Sequence, residues 1–232
     1  MDLCRDIESL VTVDESVMDL GISIAYTVSW TSQSLIHFSR YPYEEDLTEL
    51  FSYVKNSYTL ENLKKHKIVR AYRDFFWKLG IDPTKTRPAS EALVRRALRN
   101  QFPRINHVVD AGNIASAFTL VPVGLYDLDR ARPPLTIKKS LGGEAFRPIG
   151  GKEEVLEKGL PILVDSRGVV MHIYPHRDSV ETCVTEQTRK IAIIAAGVPG
   201  VEKSLLIKTV DMITQLLKKI GWTHCERIVY KP

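Results

Sequence analysis

The spacing of apolar residues changes its period partway along this 232-residue chain, and that change limits the folds open to it. Up to about residue 118, apolar side chains recur every three or four positions over long stretches, the period of a helix face. Beyond residue 135 they come in short runs separated by Gly142-Gly143, Gly150-Gly151, Asp165-Ser166-Arg167-Gly168 and Pro199-Gly200, which are turn signals between strands. The closing segment 201–220 returns to helical spacing, with Leu205, Met212, Ile213, Leu216 and Ile220 inward and lysines outward. Helices first, strands next and a helix last predict an α+β fold with a mainly antiparallel β core flanked by helices.

The individual elements follow from local chemistry. Residues 21–31 alternate (Ile22, Ile24, Tyr26, Val28, Trp30) and predict a half-buried strand. Residues 43–55 and 59–65 predict helices. Val69, Tyr72, Phe76 and Leu79 set one face of a helix over 66–79, with Gly80 as its stop. Ser90 predicts an N-cap and Glu91 suits the positive end of the helix that follows, whose apolar face is Leu93, Val94, Ala97 and Leu98. A further helix is expected over 108–118. Strands are expected at 135–138, 162–164, 169–174, 180–185 and 190–196.

At 44% hydrophobic and 26% charged residues, with a net charge of +4, the chain suits one well-buried core. Residues 1–65 read as an extension packed on a main unit, 66–232. Met1-Asp2-Leu3-Cys4-Arg5-Asp6 lacks the basic start and apolar run of a secretory leader, and no stretch approaches the roughly 20 apolar residues of a membrane helix. Cys4, Cys183 and Cys225 are widely spaced and odd in number, which suggests neither a metal knuckle nor a disulfide framework. A reduced, cytoplasmic protein without a membrane partner is the expectation.

Common catalytic signatures are absent. There is no Gly-x-Ser-x-Gly elbow or Gly-x-Gly-x-x-Gly, and Gly151-Lys152 is followed by Glu153 where a P-loop needs a hydroxyl. His172 and His176 lie four apart, but on a strand that separates them by roughly 13 Å, so no metal and no cofactor are expected. His176-Arg177-Asp178-Ser179 is the densest polar cluster, either a charged hairpin turn or a turn that presents an imidazole, a guanidinium and a hydroxyl to a cleft. Asn106, Asp110, Asn113 and Ser116 lie along one helix, either as loop caps or as ligand contacts. Residues 84–104 carry six basic residues, among them Lys85, Arg87, Arg95 and Arg99, against Glu91 alone. They form a solvated helix face or a contact for phosphates.

The stretch Ile105-Asn106-His107-Val108-Val109-Asp110-Ala111-Gly112-Asn113, continuing to Pro122-Val123-Gly124-Leu125-Tyr126-Asp127, resembles the B3/B4 domain of the phenylalanyl-tRNA synthetase beta chain. Free-standing relatives of that domain share Arg87-Pro88-Ala89-Ser90-Glu91-Ala92-Leu93, Gly143-Glu144-x-Phe146, and Arg177-Asp178-Ser179 followed by Thr182 and Thr188. In the synthetase this domain hydrolyses the ester of misacylated tRNA. The resemblance implies a trans-acting aminoacyl-tRNA deacylase that receives the tRNA acceptor end, with a non-catalytic tRNA- or RNA-binding module as the alternative. Under it, His176, Arg177 and Asp178 position water and stabilise charge. Asn106, Asp110, Asn113, Ser116 and Ser179 contact substrate, and Lys85, Arg87, Arg95 and Arg99 contact phosphates. Two positions depart from the synthetase pattern: Gly124 replaces a histidine, and Ile194 stands where a glutamate recognises the tyrosine hydroxyl. Editing of tyrosine is therefore not implied.

Overall fold

The computed structural model describes residues 4–32 and 40–232. Met1, Asp2 and Leu3 of the N-terminal stretch read above lie outside the described residues.

Two sheets face each other. Sheet A has the order β1 (Val11–Val13), β4 (Leu135–Lys139), β7 (Pro161–Val164), β8 (Val170–Ile173), β9 (Arg177–Asp178). Only β1 and β4 pair in parallel there. Sheet B has the order β11 (Thr223–His224), β2 (Ser23–Trp30), β10 (Lys190–Gly197), β3 (Val123–Asp127), and β12 (Val229–Lys231) also pairs with β2. A small hairpin, β5 (Ala145–Phe146) and β6 (Glu154–Val155), stands apart from both. The helices are α1 (Glu44–Ser57), α2 (Lys67–Lys78), α3 (Ala89–Leu98), α4 (His107–Thr119) and α5 (Lys203–Lys219). The α+β class with a mainly antiparallel core is what the structure has.

Strand β10 explains why sheet B is central. Its unbroken apolar run Ile191–Val198 has no polar side to turn towards water, so both faces must be covered. Helix α5 covers one of them. At Gly197 an added Cβ would lie 2.4 Å from Ser23 Oγ and 2.6 Å from Leu206 Cδ1, so only glycine lets helix and strand approach this closely. Strand β2 was expected to be half-buried, and it is buried along nearly its whole length. Its alternation is real, but the hydroxyls on its polar side are paired inside the protein. Thr27 donates to the carbonyls of Cys225 and Arg227, and Ser29 to that of Thr223.

Several local expectations change. Residues 59–65 form only a 3-10 turn at Leu63–Lys65, because the Thr59 and Asn62 side chains each accept from the other residue's backbone N–H. Ser90 lies inside α3, and Pro88 takes the N-cap position. Residues 180–185 form no strand. Cys183 makes a single bridge to Tyr126, and Thr188 Oγ1 accepts from Thr185 N–H, which turns the chain. In β8 the pairing skips Met171, a bulge that puts Val170 and His172 on opposite faces where simple alternation would align them. Val170 and Ile173 join Phe146, Leu156, Ile162 and Val164 in a small core under the β5–β6 hairpin.

The cysteine expectation is overturned. Cys4 and Cys225 form a disulfide across a sequence separation of 221, and Cys183 is free. Spacing could not reveal it, because the two residues meet only once the C-terminal segment folds back along β2. Among the described residues, no helix is long and apolar enough to cross a membrane.

Candidate functional site

A partly open cavity of about 30 Å³ lies between the two sheets. Sheet B contributes Gly124, Tyr126, Ile194 and Ala196, and sheet A contributes Ile137, Leu163, His172 and Asp178. Ala89 at the start of α3 and the segment Tyr174-Pro175-His176 close it. The volume is room for about two waters.

The polar groups of this cavity form a connected set. Asp178 Oδ1 lies 2.9 Å from His172 Nδ1, and the Tyr126 phenol lies within the field of the same carboxylate. Tyr126 is 3% exposed, and burial, reinforced by the Asp178 charge, raises its pKa well above the ordinary phenol value. It therefore stays a neutral donor. His176 packs on Phe76, with ring centroids 5.2 Å apart, and its Nδ1 is buried without a hydrogen-bond partner. Desolvation, helped by the charges of His172 and Arg177, lowers its pKa to about 3, so the ring is neutral at physiological pH. A buried nitrogen with no partner costs stability unless something fills the space beside it.

Strand geometry sorts the 176–179 cluster. Alternate residues of β9 face opposite ways, so His176 and Asp178 reach the cavity while Arg177 turns away. Arg177 forms a two-pronged pair with Glu154, at 2.8 and 3.0 Å, and lies over the Phe146 ring. Ser179 donates to the Arg147 carbonyl. These two residues tie the β5–β6 hairpin to β9.

The polar residues of α4 are elsewhere. Asn106 caps the helix by accepting from Val109 N–H. Asp110 is buried and accepts from Ile105 N–H and the Tyr41 hydroxyl. Burial raises its pKa despite those bonds. Ser116 Oγ is buried without a partner, and Asn113 is partly exposed. None of these four lines the cavity. Of the basic residues, Lys85, Arg87 and Arg99 are exposed. Arg95 is held 2.8 Å from Glu91 with its side chain 15% exposed, and Arg73 grips the same carboxylate from α2. Arg95 thus faces the protein rather than solvent, because a fully buried carboxylate needs neutralising charge.

Tyr174 joins the site with no sequence signal, whereas the sequence offered His172 only as one of a histidine pair and Tyr126 only as part of the 122–127 stretch. The bulge in β8 hid the facing of His172. A tyrosine in an apolar strand reads as core, and only a pairing map shows where its hydroxyl goes. Gly124 and Ile194 are direct cross-strand partners in the wall of this same cavity. The two departures from the synthetase pattern are therefore one local change.

An α+β domain with a polar cavity between two facing sheets is the class this geometry defines. A family model described as "B3/4 domain" matches residues 71–221, and the chain belongs to that family. The phenylalanine–tRNA ligase beta subunit of Pyrococcus horikoshii is 33% identical over 132 residues, covering 48% of this chain and 23% of that protein. The corresponding subunit of Methanocaldococcus jannaschii is 30% identical over 131 residues, with 47% and 23% covered. An N-terminal fragment of the Pyrococcus horikoshii phenylalanyl-tRNA synthetase beta-subunit has a similar fold, with a TM-score of 0.50 at 16% identity over 96% of this chain and 54% of the fragment. The chain spans less than a third of the length of the curated relatives it matches.

Proposed function

We propose that this chain hydrolyses the ester of mischarged aminoacyl-tRNA in trans, with the acyl group entering the cavity between the sheets. The observation that carries this reading is the meeting of Asp178, backed by His172, with the buried, unpartnered His176 Nδ1 in one cavity. Membership of the B3/4 family supports it.

An aminoacyl ester is already activated, so one positioned water and one or two donors suffice. In this mechanism Asp178 takes a proton from the water as its oxygen bonds to the ester carbonyl carbon. His176, in the tautomer protonated at Nδ1, donates to the developing oxyanion. The bond to the ribose oxygen then breaks, that oxygen takes the proton, and free amino acid and tRNA separate. Arg177, Ser179, Asn106 and Asp110 hold the surrounding structure. Lys85, Arg87 and Arg99 are exposed for acceptor-stem phosphates, and Arg87 is two residues from Ala89 at the cavity.

A panel of mischarged tRNAs, assayed with chelator present, tests this. At least one should be deacylated, and Asp178→Asn or His176→Ala should slow it by about 100-fold or more. A panel left intact by the wild type would sink the proposal. The small cavity favours a second reading, a tRNA-binding module without chemistry. Strongly salt-dependent tRNA binding with every ester left intact would select it.

A further inference from the structure

The walls of the cavity set a size limit. At Gly124 an added Cβ would meet the Tyr126 hydroxyl at 2.0 Å, so the space above Gly124 is already filled by that phenol. Across the strand pair, Ile194 fills the matching space from β10. Neither wall swings aside easily. Ile194 and Tyr126 are each 3% exposed, and Tyr126 is held by β10 and Cys183 along its backbone. The neighbouring wall is tethered too. The Tyr174 hydroxyl donates to the carbonyls of Ser23 and Gly197, at 3.1 and 2.7 Å, and the Tyr72 hydroxyl to that of Ala196 at 2.6 Å.

The lining near Gly124 is otherwise apolar: Pro122, Val123, Ile137, Leu163 and Ala196. A carboxylate side chain placed against it would lose its hydration and meet the Asp178 carboxylate, and an ammonium would have to displace His172 from that same group. A side chain of one or two heavy atoms fits about 30 Å³, whereas an aromatic ring does not.

We propose that Tyr126 and Ile194 are specificity-determining residues that restrict this pocket to aminoacyl groups with small, uncharged side chains, the glycyl and alanyl class. The inference rests on the reading of the cavity as an acyl pocket. Tyr126 acts from the strand that carries Gly124, and Ile194 acts from its cross-strand partner. Loss of either wall widens the acceptance towards larger side chains.

Two measurements on the full chain test it. The first is binding of non-hydrolysable 3′-aminoacylamino-3′-deoxyadenosines carrying glycyl, alanyl or phenylalanyl groups, by calorimetry. The wild type is expected to prefer the small groups over phenylalanyl by about tenfold or more. Ile194→Ala, and separately Tyr126→Leu, should shrink that preference, and circular dichroism identifies any variant that fails to fold. Ile194→Val is the milder companion, with a change in the same direction. The second is deacylation of alanyl- and phenylalanyl-tRNA. Equal binding of the alanyl and phenylalanyl analogues by the wild type, or an unchanged preference in the folded variants, would overturn the inference. Hydrolysis of phenylalanyl esters as fast as alanyl esters would also overturn it while leaving the deacylase reading intact. Selective binding of small groups without hydrolysis would do the reverse.

Discussion

Replacing Glu91 tests how α2 and α3 are held together. This carboxylate is fully buried, with Arg73 Nε and Arg95 Nε each 2.8 Å from it. Burial works to raise its pKa, but the hydrogen bonds and charges of the two arginines outweigh that and hold it below the usual carboxylate range. Glu91→Ala leaves two guanidinium groups facing each other without a counterion. Breaking a buried pair in this way costs about 3–5 kcal/mol. The arginine side chains are 16% and 15% exposed and can recover some hydration, so the lower end, about 3 kcal/mol, is expected. For a domain of this size that lowers Tm by roughly 6–12 °C. Glu91→Gln keeps the shape, loses the charge and should fall between Ala and wild type. The pH dependence has a definite sign. A carboxyl whose folded pKa is depressed stabilises fully above its unfolded value, and that contribution is lost as pH falls through the folded pKa. Thermal melts from pH 7 to pH 3 should therefore converge for wild type and Glu91→Gln at the acid end. A Glu91→Ala Tm within about 2 °C of wild type at pH 7 would refute the reasoning. Arg95→Ala should likewise act mainly on stability rather than on tRNA affinity.

The Cys4 and Cys225 disulfide closes nearly the whole chain, so reducing it, or Cys4→Ser, should cost about 2–5 kcal/mol, read as a lower Tm. Cys183→Ser is the control without that effect, and an unchanged melt in reductant would remove the disulfide as a stabilising link. His176 has its pKa depressed from 6.5 to about 3, so the unfolded chain takes up a proton that the folded chain refuses across that range. Stability should fall as pH drops below 6.5, by up to a few kcal/mol, and His176→Gln should flatten that part of the profile. A parallel profile for the variant would mean that the ring is solvated.

Sequence by itself determined the fold class and most element positions, because helix and strand periods are local properties of the chain. The apolar run at Ile191–Val198 already required a central strand. The polar turn at 176–179 already marked one wall of the site. Tertiary structure decided which of those polar residues share a space. Strand alternation sends His176 and Asp178 into the cavity and Arg177 and Ser179 out, and the skipped Met171 reverses the facing that His172 would otherwise have. The polar helix 106–116 was expected to contact substrate, yet Asn106 caps its own N-terminus and Asp110 holds Tyr41 and the loop at Ile105, since a buried carboxylate finds its partners only after packing. The joining of Cys4 to Cys225, and of Gly124 to Ile194, depends on pairings between distant segments. A one-dimensional pattern carries the period of each element but not which elements will face each other, and here the chemistry lies between facing elements.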